Sequence, residues 1–314
     1  MTATEVAPSA TQSFKARDVE ELIDFYLHRR VANLVVKVLV HTPITPNQVT
    51  VLSGLFAIAA GATLATSAPE RPYQPVIAAA IFFGSIVLDC ADGQLARLRK
   101  SSSFAGRALD GYTDVVSITS LMVGHLFWLL QHGVPFWLTQ VVGWSAALSI
   151  KWHAHHYDHI KNLYLFNTER PGSSDIPSFP TYEEIERERV EHERAGRRFS
   201  ALLCRGFHQF TQSQRKGLVG RTGLDRPRPS SDAERALYRE RFRGFMRLWT
   251  FNGIGTHLCF YVVCTAVAPL YPLAPLLGWA FVAGPMNIFT LYLKLRERQL
   301  EAEYSRLAAA QQPV

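Results

Sequence analysis

Apolar runs about as long as a bilayer is thick recur along this chain, and they constrain its fold more than any other feature. A helix needs about 20 apolar residues to span the hydrocarbon core. Six segments approach that length: about Val49 to Ser67, Tyr73 to Leu98, Gly106 to Leu130, Pro135 to Trp152, Met246 to Ala268 and Leu273 to Leu293. A mean hydropathy near zero hides them, because they alternate with strongly basic stretches in a 314-residue chain of formal net charge +7. That segregation fits a membrane protein and not a soluble domain. The expected fold class is all-α: a polytopic membrane protein with six transmembrane helices, an N-terminal interfacial amphipathic helix, and a helical cytoplasmic insertion between spans four and five.

Lys and Arg orient the spans. The loops around residues 68–72, 131–134 and 269–272 hold one basic residue, Arg71, of the 33 in the chain. By the positive-inside rule both termini, the link Leu98 to Ala105 and the insertion are expected to be cytoplasmic. Cys90, Cys204, Cys259 and Cys264 show no paired spacing, so a disulfide framework is not expected.

Taken in order, residues 1–16 are Ser/Thr/Ala-rich without an apolar core and are expected to form a disordered tail, neither signal peptide nor span. Residues 17–44 carry Leu22, Phe25, Tyr26, Val31, Leu34, Val35 and Val38 near helical spacing, with Arg29, Arg30 and Lys37 among them. That pattern suits a helix on an anionic membrane surface, or one packed on protein. Spans one to four fill 45–152, opening with Thr45 as N-cap, Pro46 at the first helical position and Gln48 completing a capping box. The free N–H groups of such a start suit a diphosphate.

Residues 153–245 are too long and too charged for an ordinary connection. Thr181 and Glu184 open a Glu/Arg-rich helix, and Phe199, Leu202, Leu203, Phe207 and Phe210 form an apolar stripe. After the breaker-rich Gly220 to Pro229, Ser231 and Glu234 cap another helix, and no motif of a separate catalytic domain is present. Spans five and six occupy 246–294, and 295–314 form a cytoplasmic tail. His153, His155, His156 and His159, with Asp158, have a spacing that can share a metal. An interfacial helix end is the expected role, with a contact to an acidic acceptor as the alternative.

The chemistry concentrates between Asp89 and Asp114. Asp89 and Asp92 share one helix face at i, i+3, and Asp110 and Asp114 share another at i, i+4. If the two segments are antiparallel neighbours across their short link, four carboxylates converge where a lone charge would be costly. Hard divalent ions such as Mg²⁺ relieve that repulsion and favour oxygen ligands together with substrate phosphate. Gly93 and Ala96 remove bulk beside the acids, and Arg97 offers a planar fork for phosphate oxygens. Helix-end salt bridges to Arg97, Arg99, Lys100 and Arg107 are the plainer account of the same acids.

Asp89, two residues, Asp92-Gly93, two, Ala96-Arg97, eight, Gly106, three, Asp110, three, Asp114: these eight identities at fixed spacing resemble the signature of the CDP-alcohol phosphotransferase family. The resemblance implies six spans and transfer of a substituted phosphate from a CDP-alcohol, with CDP-diacylglycerol the leading donor, to a hydroxyl acceptor with release of CMP. It further implies two Mg²⁺ ions, replaceable by Mn²⁺, held by Asp89, Asp92, Asp110 and Asp114, with Asp114 also the general base. Gly93, Ala96, Arg97, Ser103 and Gly106, together with Asn47 and Thr50 at the start of the first span, correspond to substrate contacts. The implied setting is a multi-pass homodimer in the lipid bilayer, its active site on the cytoplasmic side, with no nucleic-acid partner.

On the acceptor, many phosphatidylinositol-phosphate synthases carry Arg after the last Asp, where Val115 stands here. Ser101 to Ser103 and Gly111 are similar to choline and ethanolamine phosphotransferases, whereas Thr42-Pro-Ile-Thr-Pro-Asn-Gln48 resembles enzymes making inositol-phosphate diesters. An aspartate-rich membrane prenyltransferase and a non-enzymatic cation transporter or scaffold are the alternatives. The first would release pyrophosphate, and the second would move metal without turnover.

Overall fold

A computed structural model describes residues 17–68, 70–170, 181–218, 229 and 231–311. The expected tail 1–16 and most of the breaker-rich stretch, 220–228, lie outside the described residues. All regular structure among the described residues is helical: α1 Arg29–Leu39, α2 Pro46–Ala65, α3 Gln74–Leu98, α4 Phe104–Gln131, α5 Phe136–Thr168, α6 Tyr182–Arg194, α7 Arg198–Leu218, α8 Asp232–Trp249, α9 Ile254–Val267, α10 Ala274–Ala283 and α11 Pro285–Gln311.

The centre of the fold is α2, which packs along both α3 and α4. It starts where the sequence places it. Thr45 N–H donates to Gln48 Oε1 at 2.8 Å while the Thr45 hydroxyl accepts from Gln48 N, closing the capping box. Along α2 and α4 small residues let the backbones touch, as in membrane helix pairs. A Cβ on Gly124 would stand 2.8 Å from the carbonyl oxygen of Gly61. Ser85 of α3 donates to the backbone oxygen of Ser53 at 2.8 Å. The apolar core around Ala57, Leu64, Phe82, Leu121 and Tyr261 extends from this triplet to α9 and α10. The two acid-bearing helices therefore meet mainly through α2, and pack little against each other directly.

Among the described residues four helices are long and apolar enough to cross a membrane: α2, α3, α4, and α10 with α11, which run on through Gly284. Counting α8 and α9 as one bent span makes five. The segment expected as a straight fifth span, Met246 to Ala268, is broken by a 3₁₀ turn at Thr250–Asn252, and the flanking axes differ by 45°. Buried Glu21 supplies a reason for the break. Its carboxylate accepts from Thr256 N at 2.7 Å, Thr256 Oγ1 at 2.9 Å and Gly255 N at 3.4 Å, capping α9 from the far end of the chain. The fourth expected span lies in α5, whose apolar run is interrupted by Thr139, Gln140, Ser145, Ser149 and Lys151. That helix continues past Trp152 as far as Thr168.

The N-terminal segment is less regular than a single helix over 17–44. A 3₁₀ turn at Arg17–Val19 and a π-helical turn at Asp24–His28 precede α1. Ala32 and Val36 are buried against α3, while Tyr26, Leu34 and Val38 stay exposed. In the insertion, α6 opens with the expected Thr181–Glu184 capping box, and α6 and α7 pack as a hairpin against the start of α4. The Ser231 hydroxyl accepts from Glu234 N at 3.1 Å and caps α8.

Candidate metal and phosphate site

α3 carries Asp89 and Asp92 in its last turns, and α4 carries Asp110 and Asp114 in its first. One carboxylate oxygen from each of Asp89, Asp92 and Asp110 lies within 4.8 Å of the other two. Three oxygens at that separation suit a hard cation that bridges carboxylates and phosphate. Asp114 lies outside the close trio, one turn farther along α4. Its charge acts on Asp89 and is acted on by Asp110 and by Asp158 of α5. Asp92 is buried, Asp89 and Asp114 are half-buried, and Asp110 is exposed, so the cluster opens outward from α2.

α2 orients the deepest acid. The Thr50 hydroxyl sits between the Asp92 carboxylate and, at 3.2 Å, the carbonyl of Pro46. Since it donates one proton, it fixes Asp92 and leaves the other Asp92 oxygen for the cluster. Asn47, one turn earlier, lies beside Gly106: a Cβ there would be 3.0 Å from Asn47 Oδ1 and 3.0 Å from Ser103 Oγ. Ser103 caps α4, its hydroxyl accepting from Gly106 N at 2.9 Å. The first turns of α2 and α4 thus come together next to the acids, and Asn47, Thr50, Ser103 and Gly106 share one neighbourhood.

Gly93 is open by a different criterion. A Cβ there would meet nothing closer than Arg97 Nη1 at 3.5 Å, so packing within the chain does not require glycine. The space beside Gly93 is therefore available to a ligand, with the exposed Arg97 fork at its edge. Ala96 is half-buried one turn below, and its carbonyl accepts from Ser101 N at 3.0 Å in the bond that ends α3.

A polar cavity of about 130 Å³ is lined by Glu20, Glu21, Asp24, Arg29, Tyr157, Asp158 and Lys161 among others, and none of Asp89, Asp92, Asp110 and Asp114 lines it. Asp24 and Asp158 connect it electrostatically to Asp89 and Asp114. Asp24 accepts from His28 Nδ1 at 2.7 Å. Burial works to lower the His28 imidazole, but the bond to Asp24 and the nearby Cys259 outweigh it and push it up to about 9. Asp24 is a residue that sequence reasoning passes over, because its neighbours in the chain carry no motif.

Of the α5 histidines, His153 and His156 make inter-helix contacts and His155 is exposed. His153 is buried, with Nδ1 3.1 Å from His257 Nε2 and Nε2 2.8 Å from Asn287 Oδ1, and His156 Nε2 accepts from Lys294 Nζ at 2.7 Å. No group of three or more metal-ligating side chains among the described residues includes them.

A search of curated proteins gives no match to this chain. Residues 43–162 do match the family model described as CDP-alcohol phosphatidyltransferase, and they include the run from Asn47 to Asp158; that part of the chain is similar to the CDP-alcohol phosphatidyltransferase domain.

Proposed function

We propose that this protein is an integral membrane transferase that moves a phosphatidyl group from CDP-diacylglycerol to a small polar hydroxyl acceptor, releasing CMP. The convergence of Asp89, Asp92 and Asp110, with Asp114 set one turn apart, carries this reading. Three clustered carboxylates suit a pair of Mg²⁺ ions, whose chemistry would be to neutralise a diphosphate and the leaving CMP. Thr50 holds Asp92 in place for that task. Asn47, Ser103, Gly106 and Arg97 border the space for the rest of the donor, and Gly93 keeps it open.

Asp114 is the residue for the acceptor proton. It stands apart from the trio and within electrostatic reach of Asp158, a wall of the polar cavity. A carboxylate there can take the hydroxyl proton as the new P–O bond forms and the bond to the CMP phosphate oxygen breaks. A cavity of about 130 Å³ lined by both acids and bases suits a compact, water-soluble alcohol. The acceptor then arrives from the aqueous side, while the lipid donor lies along the outward apolar faces of α2 and α4, which expose Leu55, Val115 and Val123.

The test compares two variants in purified protein. Asp114→Asn keeps size and is expected to lower CMP release at least 1,000-fold, on the order of 4 kcal/mol in barrier, with Mn²⁺ and CDP-diacylglycerol binding within a few-fold of wild type. Asp89→Asn is expected to weaken both binding events as well. Near-normal turnover in Asp114→Asn would remove Asp114 as the base, and pyrophosphate in place of CMP as product would remove the reaction class.

A further inference from the structure

A second set of ligating side chains lies in the insertion, separate from the four aspartates. Glu188 and His192 are one turn apart on α6, and Cys204 faces them from α7. One ligand atom from each lies within 4.8 Å of the others. Cys204 Sγ is 3.6 Å from Glu188 Oε1, and His192 Nε2 is 3.4 Å from the same oxygen. Both ring nitrogens of His192 are buried without a hydrogen-bond partner, although 13% of the side chain remains exposed. A buried imidazole with neither nitrogen satisfied is costly and calls for a ligand.

The same Glu188 also joins the insertion to the catalytic helix. Its Oε2 accepts from Phe104 N at 2.9 Å and its Oε1 from Ala105 N at 3.0 Å, the free amides of the first turn of α4. Apolar contacts seal the joint. Ile185, Leu203 and Cys204 pack with Ala105 and Ala108, and Phe207 stacks on Phe104 with ring centroids 5.8 Å apart. Five residues beyond Ala105 stands Asp110.

We propose that Glu188, His192 and Cys204 bind a thiophilic divalent metal, zinc by the chemistry of its donors, that latches the α6–α7 hairpin onto the first turn of α4. A sulfur, a nitrogen and an oxygen make a set that zinc accepts and Mg²⁺ does not, so the two sites select different ions. Three protein ligands leave a fourth position for water. Metal binding displaces the thiol proton, as the S–H bond gives way to a metal–thiolate bond. The latch orders the start of the helix that carries Asp110 and Asp114, so the insertion acts on the site without contributing a reacting group.

Chelator-treated protein in excess Mg²⁺, which occupies any oxygen-only site, is titrated with Co²⁺. The expected result is one equivalent bound with a thiolate-to-cobalt charge-transfer band, abolished by stoichiometric Zn²⁺, together with slowed hydrogen exchange at the amides of Phe104 and Ala105. Cys204→Ser is expected to lose the band and at least tenfold in affinity, and His192→Gln, near the surface, at least tenfold in affinity. Asp89→Asn is expected to retain both band and affinity. Cobalt binding without the thiolate band, or a band that survives both Cys204→Ser and His192→Gln, overturns the proposal. So does an unchanged exchange rate at Phe104 and Ala105 when zinc is bound.

Discussion

Arg99 shows how much one side chain can organise just outside a motif. From the end of α3 its guanidinium donates to the carbonyls of Leu39 at 2.8 Å, Thr42 at 2.7 Å and Ile44 at 2.5 Å, gathering the end of α1 and the approach to α2. Arg99→Ala is expected to cost about 2 kcal/mol in stability, the scale of hydrogen bonds to a charged donor. It should also weaken CDP-diacylglycerol binding, because Asn47 follows Ile44 by three residues; thermal melting and donor titration check the two effects. Lys100, next in the chain, has φ of +50°, a left-handed conformation that costs a side chain about 1 kcal/mol. Lys100→Gly is expected to raise the melting temperature by a few degrees. The aspartate motif is legible in the sequence because its parts lie within one turn on each of two adjacent helices. Arg99 is not, since a basic residue after a membrane-length run reads equally as a cytoplasmic flank, and its three partners lie more than 50 residues away.

Among elements, the broken α8–α9 unit has its determinant at the opposite end of the chain. Glu21 replaces the N-cap that Gly253 cannot supply, satisfying amides at the start of α9. Burial first, then the neighbouring Asp24, pushes the Glu21 carboxyl from its ordinary 4.5 up to about 8, against the bonds from Thr256 and Gly255. The folded protein thus holds this proton where the unfolded chain has released it. Stability from this group is full below about pH 4.5 and is lost as pH rises through about 8. Comparing melting temperatures of wild type and Glu21→Gln across that window is expected to show a falling curve for the first and a flatter one for the second. Parallel curves would mean that Glu21 does not titrate there. The starts of α2, α6 and α8 are legible because each cap lies within three residues of what it caps. The break at Thr250–Asn252 is not, because an apolar run shows its length and says nothing of a cap arriving from residue 21.

For the whole molecule, orientation in the membrane decides whether the site meets a cytoplasmic donor. The outward surfaces of α2, α4, α5 and α10 carry Leu55, Val123, Trp144 and Leu277, all exposed, as a lipid-facing belt would. On α5 the exposed face also has Phe136, Trp137, Val141 and Leu148, so its first half presents an apolar side to lipid even though its composition is mixed. We propose that α5 and the bent α8–α9 unit cross alongside the other four, an arrangement that would put both termini, the α3–α4 link and the insertion on one side. By the positive-inside rule that side is expected to be the cytoplasm. Glu70 lies in the opposite loop and is exposed, as is Ser102 in the link. In a background with Cys90, Cys204, Cys259 and Cys264 replaced by Ala or Ser, Glu70→Cys is expected to react with an impermeant maleimide in intact cells. Ser102→Cys should react only in inverted vesicles. Both sites labelled from one side would mean that α3, which alone separates the two positions, does not cross; reversed labelling would put Asp89, Asp92 and Asp110 on the face away from cytoplasmic CDP-linked donors.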